Sequence, residues 1–345
     1  MSWDSITGHK RQIGALRTAM ERGRLHHALL FSGPEGIGKK LVAKTAASAL
    51  LCEERPAGER CGECRTCSRI KRGTHADVVT VTRREGERFI TIGDNTQPTG
   101  NVLHTVRGLC EHASRKPFES KLKVYIIDGA QRIKGEAQDA FLKTLEEPPG
   151  NTYFFLVCSN YWMLRETIRS RSMNVPFYPL TADQTSAIVS GLKLESDEQQ
   201  LAMALLFGEG SPGQAAQFIE QELAEPVGVF LKLADDCAAC NTADHSGVFM
   251  DKTFSELGSS PLEPIRERLI VCLQSLLNVL RPNRRESCAK VAPVLSELSD
   301  EARTDIGEQA LKAVTDLRLN VRPQLTIDSL FERIASNGRR HSKAT

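Results

Sequence analysis

The stretch HHALLFSGPEGIGKK, residues 26–40, decides the fold. Residues 27–31 are a short apolar run, Gly33, Pro34, Gly36 and Gly38 follow at once, and a helical pattern runs from Lys39 through Ala43 and Ala46 to Leu50. Strand, glycine loop and helix in that order, with the spacing G-x-x-x-x-G-K, describe a phosphate-binding loop. Its glycines let backbone N–H groups converge on phosphate oxygens, the helix N-terminus adds positive potential, and Lys39 reaches the outer phosphates. Lys40 stands where a Ser or Thr hydroxyl helps hold Mg²⁺; an ammonium has no lone pair to offer and repels the cation. The segment is expected to be a phosphate-binding loop by descent, with ATP or ADP as its candidate ligand and with metal-assisted hydrolysis impaired.

Working outward, residues 77–82, 89–92, 123–128 and 152–158 are strand candidates. KVYIID, residues 123–128, is the clearest and ends on Asp128, placed to contact a metal directly or through water or, more blandly, to cap the next turn. Ala137, Ala140, Phe141 and Leu145 share one helical face before Pro148 and Pro149 stop the chain, and TYFFLVC, residues 152–158, leads into Ser159 and Asn160. Alternating strands and helices predict an α/β domain with a largely parallel sheet. Past Pro179 the strand signals vanish, so a boundary falls near residue 180. Thr181 with Gln184 is a capping-box pair, and a short helical unit runs to about residue 225. Two apolar stripes (Ile265, Leu269, Cys272, Leu273, Leu276, Leu280; and Ile306, Ala310, Ala313, Val314, Leu317) predict a helical bundle, with residues 336–345 as a frayed basic tail.

At 345 residues the chain has room for two or three domains; 26% charged and 40% hydrophobic residues suit a folded protein. A net charge of +2 excludes a generally basic, nucleic-acid-coating surface while leaving room for a local patch. The N-terminus carries no secretory h-region, and the apolar run 153–158 is far short of a membrane helix, so a cytoplasmic protein without membrane contact is expected.

Four of the ten cysteines lie in one window, Cys52-x8-Cys61-x2-Cys64-x2-Cys67. Four thiolates suit a tetrahedral structural zinc and leave no open position for catalysis; an iron–sulfur cluster or free buried thiols are the other readings. Arg55, Arg60, Arg65 and Arg69 can offset the negative charge of such a centre, and would also permit contact with DNA, although the module has no aromatic residue for base stacking. Cys237-x2-Cys240 lies in an alanine-rich segment and reads as ordinary helix.

Together these segments resemble the bacterial DNA polymerase III clamp-loader AAA+ subunits, most closely the delta-prime subunit. The match is carried by HHALLFSGPEGIGKK, the four-cysteine insertion, RKPFESKLKVYIIDGAQRI (115–133), AFLKTLEEPPGNTYFFLVCSN (140–160), the turn IRSRS (168–172), GEGSPGQA (208–215) and NVRPQL (320–325). The resemblance implies an AAA+ domain over residues 1–179 with its zinc module at about 52–67, a helical lid over 180–225 and a helical collar over 226–335. It implies that Arg171 matches the arginine that reaches into a neighbouring subunit's nucleotide site, and that Ser172 replaces the usual cysteine in a packing slot. Ser159 and Asn160 match a first sensor; Gly33, Gly36, Gly38, Lys39, Lys40 and Asp128 complete a degenerate nucleotide site. Active ATPases of this class carry a glutamate where this chain has Gly129, and motor subunits carry a lid arginine where it has Gly213. The implied partners are gamma/tau-type motor and delta-type clamp-opening subunits, the sliding clamp, and primer–template DNA through the complex. The alternative is an ATP-hydrolysing gamma/tau-type motor.

Overall fold

In the computed structural model, which describes residues 3–93, 100–240 and 262–342, six strands build one sheet: β1 (Ala28–Ser32), β2 (Val78–Val81), β3 (Val102–Leu103), β4 (Lys123–Asp128), β5 (Thr152–Cys158) and β6 (Met173–Pro176). Their order is β3-β2-β4-β5-β1-β6 and all five pairings are parallel. The chain divides into two compact units, Met1–Lys193 with Glu209–Gln214, and Leu194–Gly208 with Ala215–Thr345.

In the first unit β1, β4 and β5 read as nearly unbroken apolar runs because both faces of the sheet are covered there, whereas the edge strand β6 buries only Val175. Successive side chains point to opposite faces, so β1, β4 and β5 feed two cores. Leu29, Phe31, Val124, Ile126, Phe155 and Val157 face one core with Ile13 and Leu16 of α1 (Lys10–Glu21) and Val42, Ala43 and Ala46 of α2 (Lys39–Leu51). α3 (Arg65–Arg72) follows α2 and packs on it. Leu30, Val79, Tyr125, Ile127, Phe154 and Leu156 face the other core, with Leu109 of α4 (Val106–Ser114) and Phe141 and Leu145 of α5 (Gly135–Glu146). Lys123, only 2% exposed, opens β4 and donates from Nζ to the carbonyls of His112 and Arg115 at the end of α4. α6 (Glu166–Ser170) precedes β6, and α7 (Ala182–Gly191) opens on the expected capping box of Thr181 and Gln184.

Residues 89–92 do not form the strand that their β-branched pattern suggests. They make only isolated parallel bridges, Ile90 with Ile133 and Thr91 with Thr105, because the edge position beside β2 is taken by Val102 and Leu103.

The second unit is helical: α8 (Glu198–Phe207), α9 (Pro212–Glu220, whose first turn belongs to the first unit), α10 (Ala224–Cys240), α11 (Leu262–Val279), α12 (Arg285–Cys288), α13 (Pro293–Glu297), α14 (Asp300–Arg318) and α15 (Pro323–Ser342). α10 packs on α11 and α15, and α14 packs on α11 and α15, which closes a four-helix bundle. Leu269, Cys272, Leu273 and Leu276 of α11 and Ile306, Ala310 and Ala313 of α14 are buried, on two helices that pack together. Cys237 lies buried in α10; the side chain of Cys240 lies outside the described residues. The segment 336–345 is not a frayed tail over its first part. α15 carries on to Ser342 because its buried face continues: Asn337, 4% exposed, donates to Asp305 of α14, and Gly338 lets the backbone of Ala238 approach.

Arg303, 3% exposed, ties the bundle together by donating to the carbonyls of Val279, Leu280, Arg281 and Ser296. A cation on the free carbonyls at a helix end satisfies groups that have no partner inside the helix. Among the described residues no helix is long and apolar enough to cross a membrane. Arg303→Ala strands these buried carbonyls and should lower the unfolding free energy by about 3 kcal/mol, read from urea denaturation followed by circular dichroism.

Candidate functional site

Parallel pairing puts every strand's carboxyl end on one edge of the sheet, where ligands of doubly wound folds bind. β4, β5 and β1 are neighbours there, with Ser32 in register with Cys158 and Asp128 with Val157. The glycine loop after β1, Asp128 at the end of β4 and Ser159 after β5 therefore lie side by side. Gly33 N donates to Cys158 O (3.2 Å) and Gly129 N to Val157 O (3.1 Å), which stitches the three loops together at their starts.

Lys39 opens α2 and is 5% exposed. Its Nζ donates to Gly33 O at 2.7 Å and to Pro34 O, which holds the ammonium inside the curl of the loop. Burial pulls its pKa down to about 8, against the opposing attraction of Glu35, Cys158 and Asp128. Lys40, the next residue, turns to Asp128, Nζ to Oδ2 at 2.7 Å. Gly129 sits in the left-handed region (φ 76°), a conformation that disfavours any residue with a Cβ, so the sharp turn away from β4 suits the glycine found there.

Gln131 was not singled out from the sequence, yet it fixes Ser159 from both sides, Nε2 to Oγ at 2.6 Å and Oε1 to the Ser159 N–H at 3.2 Å. Asn160 Oδ1 accepts from Trp162 N (3.2 Å) and so caps the turn that follows. Ser211 was missed as well: Oγ donates to Glu35 O at 2.7 Å, and Gly213 N donates to Gly36 O at 3.0 Å. A Cβ on Gly213 would lie 2.8 Å from Gly36 Cα and 2.9 Å from Gly36 O, so position 213 holds no side chain while the glycine loop keeps this form. Neither contact leaves a trace in periodicity or composition; only the run of small residues in GSPG hints at a close backbone approach.

Arg171 stands apart from these groups at the end of α6, where Nη2 meets Glu146 Oε1 (2.7 Å) and Nη1 meets Thr167 O (3.2 Å). The other arginine of the turn, Arg169, lies over the rings of Tyr161 and Trp162, 4.9 Å from each centroid. Ser172 is 9% exposed and donates to Ile168 O at 2.9 Å, the packing slot expected of it.

Cys52 ends α2, Cys64 caps α3, and with Cys61 and Cys67 their sulfur atoms all lie within 4.8 Å of one another. A tetrahedral ion with metal–sulfur bonds of about 2.3 Å separates its sulfurs by about 3.8 Å. The observed Cys52–Cys61 and Cys61–Cys67 separations are 3.7 and 3.9 Å. Backbone N–H groups of Cys61, Cys64 and Cys67 point at the sulfurs of Cys52, Cys61 and Cys64, and Ser48 Oγ donates to Cys67 Sγ at 3.3 Å. The N–H of Cys64 is the main reason that the Cys61 thiol is pulled down to about 6, whereas burial pushes Cys64 up to about 12. Arg60, next to Cys61 in the chain, has Nε and Nη2 buried without a hydrogen-bond partner. The donor set and its spacing fit a metal held by four sulfurs.

Comparison with known proteins gives the family. A family model described as DNA polymerase III, delta subunit, matches residues 8–181, half of the chain. The tau subunit of DNA polymerase III from Bacillus subtilis is 28% identical over 276 residues, covering 79% of this chain and 46% of that protein. The tau subunit from Salmonella typhimurium is 26% identical over 289 residues, covering 79% and 42%. This chain therefore spans less than half the length of these relatives. A DNA polymerase III gamma subunit-related protein from Thermotoga maritima aligns over 95% of this chain and 100% of its own at 16% identity and a TM-score of 0.43, too loose a likeness to argue from.

Two outcomes follow. Below pH 8 folding holds a Lys39 proton at a penalty, and between 8 and 10.5 the folded state sheds that proton before the unfolded one does. The stability of the wild type relative to Lys39→Met should therefore rise across that window, by about 3 kcal/mol in chemical denaturation series. Metal analysis should find one ion per chain, and a strong chelator or Cys64→Ser should remove it and lower the melting temperature.

Proposed function

Since the chain belongs to the AAA+ clamp-loader subunits of bacterial DNA polymerase III, we propose that it is the non-motor, delta-prime-like member of that assembly, working beside ATP-hydrolysing neighbours rather than as one of them. The observation that supports this most is the backbone contact between Gly213 and Gly36, which leaves no room for a lid arginine at the glycine loop. Lys40 in place of a hydroxyl and Gly129 in place of a glutamate point the same way.

Its contribution to catalysis is then made in trans. Arg171 lies on the surface at the end of α6, held by a half-exposed carboxylate, and such pairs are worth only about 0–1 kcal/mol. Exchange of Glu146 for the phosphates of a neighbour's nucleotide costs little, and a guanidinium placed there stabilises the charge of the transferring phosphoryl group. Gly33, Gly36, Gly38, Lys39, Lys40, Asp128, Ser159 and Asn160 form the chain's own degenerate site, with ATP or ADP as its ligand. Zinc is the metal that four closely spaced thiolates favour, in a structural role. Residues 1–179 serve as the AAA+ domain, 180–225 as the lid and 226–335 as the collar that joins the ring. The partners are gamma/tau-type motor and delta-type clamp-opening subunits, the sliding clamp, and primed DNA met through the complex, all in the cytoplasm. The second reading, a gamma/tau-type motor, shares the names of the tau relatives but is opposed by Lys40, Gly129 and Gly213.

The test is ATP turnover. The isolated chain should show none above background, whereas Arg171→Ala in the reconstituted loader should lower ATPase by at least about tenfold, a modest share of what arginine fingers supply. Robust turnover by the isolated chain would sink the non-motor reading.

A further inference from the structure

We infer that Lys40 is a resident cation standing where loops of this kind hold Mg²⁺, and that through its pairing with Asp128 it is the residue that keeps a divalent metal out of this site. The inference rests on reading the glycine loop as a nucleotide site and goes beyond the non-motor role, since it names what replaced the metal.

The geometry is specific. In working phosphate-binding loops the metal is shared by the hydroxyl that follows the loop lysine and by a carboxylate at the end of a nearby strand. Here the residue after Lys39 is a second lysine, and its Nζ lies 2.7 Å from Asp128 Oδ2, the carboxylate that ends β4. One substitution removes the hydroxyl ligand and also occupies the carboxylate ligand. A divalent ion arriving at Asp128 meets an ammonium within hydrogen-bond distance of the same oxygen, and like charges at that range repel strongly even in a half-exposed setting. Lys39 cannot fill the vacancy, because its ammonium is committed to the carbonyls of Gly33 and Pro34. A nucleoside diphosphate here is held by the loop amides and the polar groups beside them, and a metal adds nothing to its binding.

A plain surface ion pair gives the competing account, under which changing Lys40 alters nothing that depends on metal. The two are separated by titrating ADP into the isolated wild type, Lys40→Thr and Lys40→Thr/Asp128→Asn, in EDTA and in millimolar Mg²⁺, by calorimetry. Lys40→Ser serves as a second hydroxyl variant, and circular dichroism confirms that each chain is folded. The wild type should show no more than about a twofold gain in ADP affinity from Mg²⁺, or no binding in either buffer. Lys40→Thr should gain at least about tenfold from Mg²⁺, the lower end of what even an outer-shell partner of a metal is worth, and the added Asp128→Asn should abolish that gain. A wild type that binds tenfold tighter with Mg²⁺, hydroxyl variants with no metal-dependent gain, or a gain that survives Asp128→Asn overturns the inference. These readouts use the isolated chain alone, so they fail or succeed independently of Arg171 and the ATPase of the assembled loader.

Discussion

β1 runs between β5 and β6, parallel to both and buried along its whole length, and the rest of the first unit is arranged around that constraint. A strand buried on both faces and paired on both edges has no conformational freedom left, so the loop that leaves its end starts from a fixed point. Because β5 beside it and β4 beyond run parallel to it, their ends present Ser159 and Asp128 on the same edge of the sheet without any further device. α2 then leaves at a set angle with Val42, Ala43 and Ala46 packed into the core, which fixes the lysine pair at its first turn.

Within this frame the groups around the glycine loop are held by contacts inside the chain. Gly213 rests its backbone on Gly36, Ser211 holds Glu35, Lys40 takes Asp128, and Gln131 takes Ser159. The same economy recurs in buried cations set on backbone carbonyls: Lys39 on its own loop, Lys123 on the end of α4, and Arg303 between the end of α11 and Ser296. Each pays the cost of desolvation with several hydrogen bonds, and each pins a place where regular structure stops.

The sequence made the strand–loop–helix, KVYIID, the proline stop and the cysteine quartet readable, because each is a local pattern with one physical meaning. The two stripes of the bundle were readable for the same reason. Residues 89–92 misled because a β-branched run says nothing about which segment wins the sheet edge, and Val102–Leu103, too short to show a period, won it. The last helix was hidden because its final turns are polar in composition, while their burial depends on α10 and α14 lying alongside. Within the candidate site the glycines, the lysines and Asp128 were legible from spacing. Gln131, Ser211 and Glu146 were not, since each acts through a partner 28, 176 or 25 positions away in the chain, 25 being 171 minus 146.

The cysteine cluster bears on how the chain comes to be folded as it is synthesised. Its ligands lie between Cys52 and Cys67, so the loop that a metal closes is short and costs little entropy. The partners of β1, by contrast, begin only at Thr152 and Met173. A newly made chain thus exposes an apolar strand for as long as it takes to reach them. A metal bound by these thiols would clasp the end of α2 to the start of α3 and steady the helix that packs on β1, so that metal supply during translation would bear on yield.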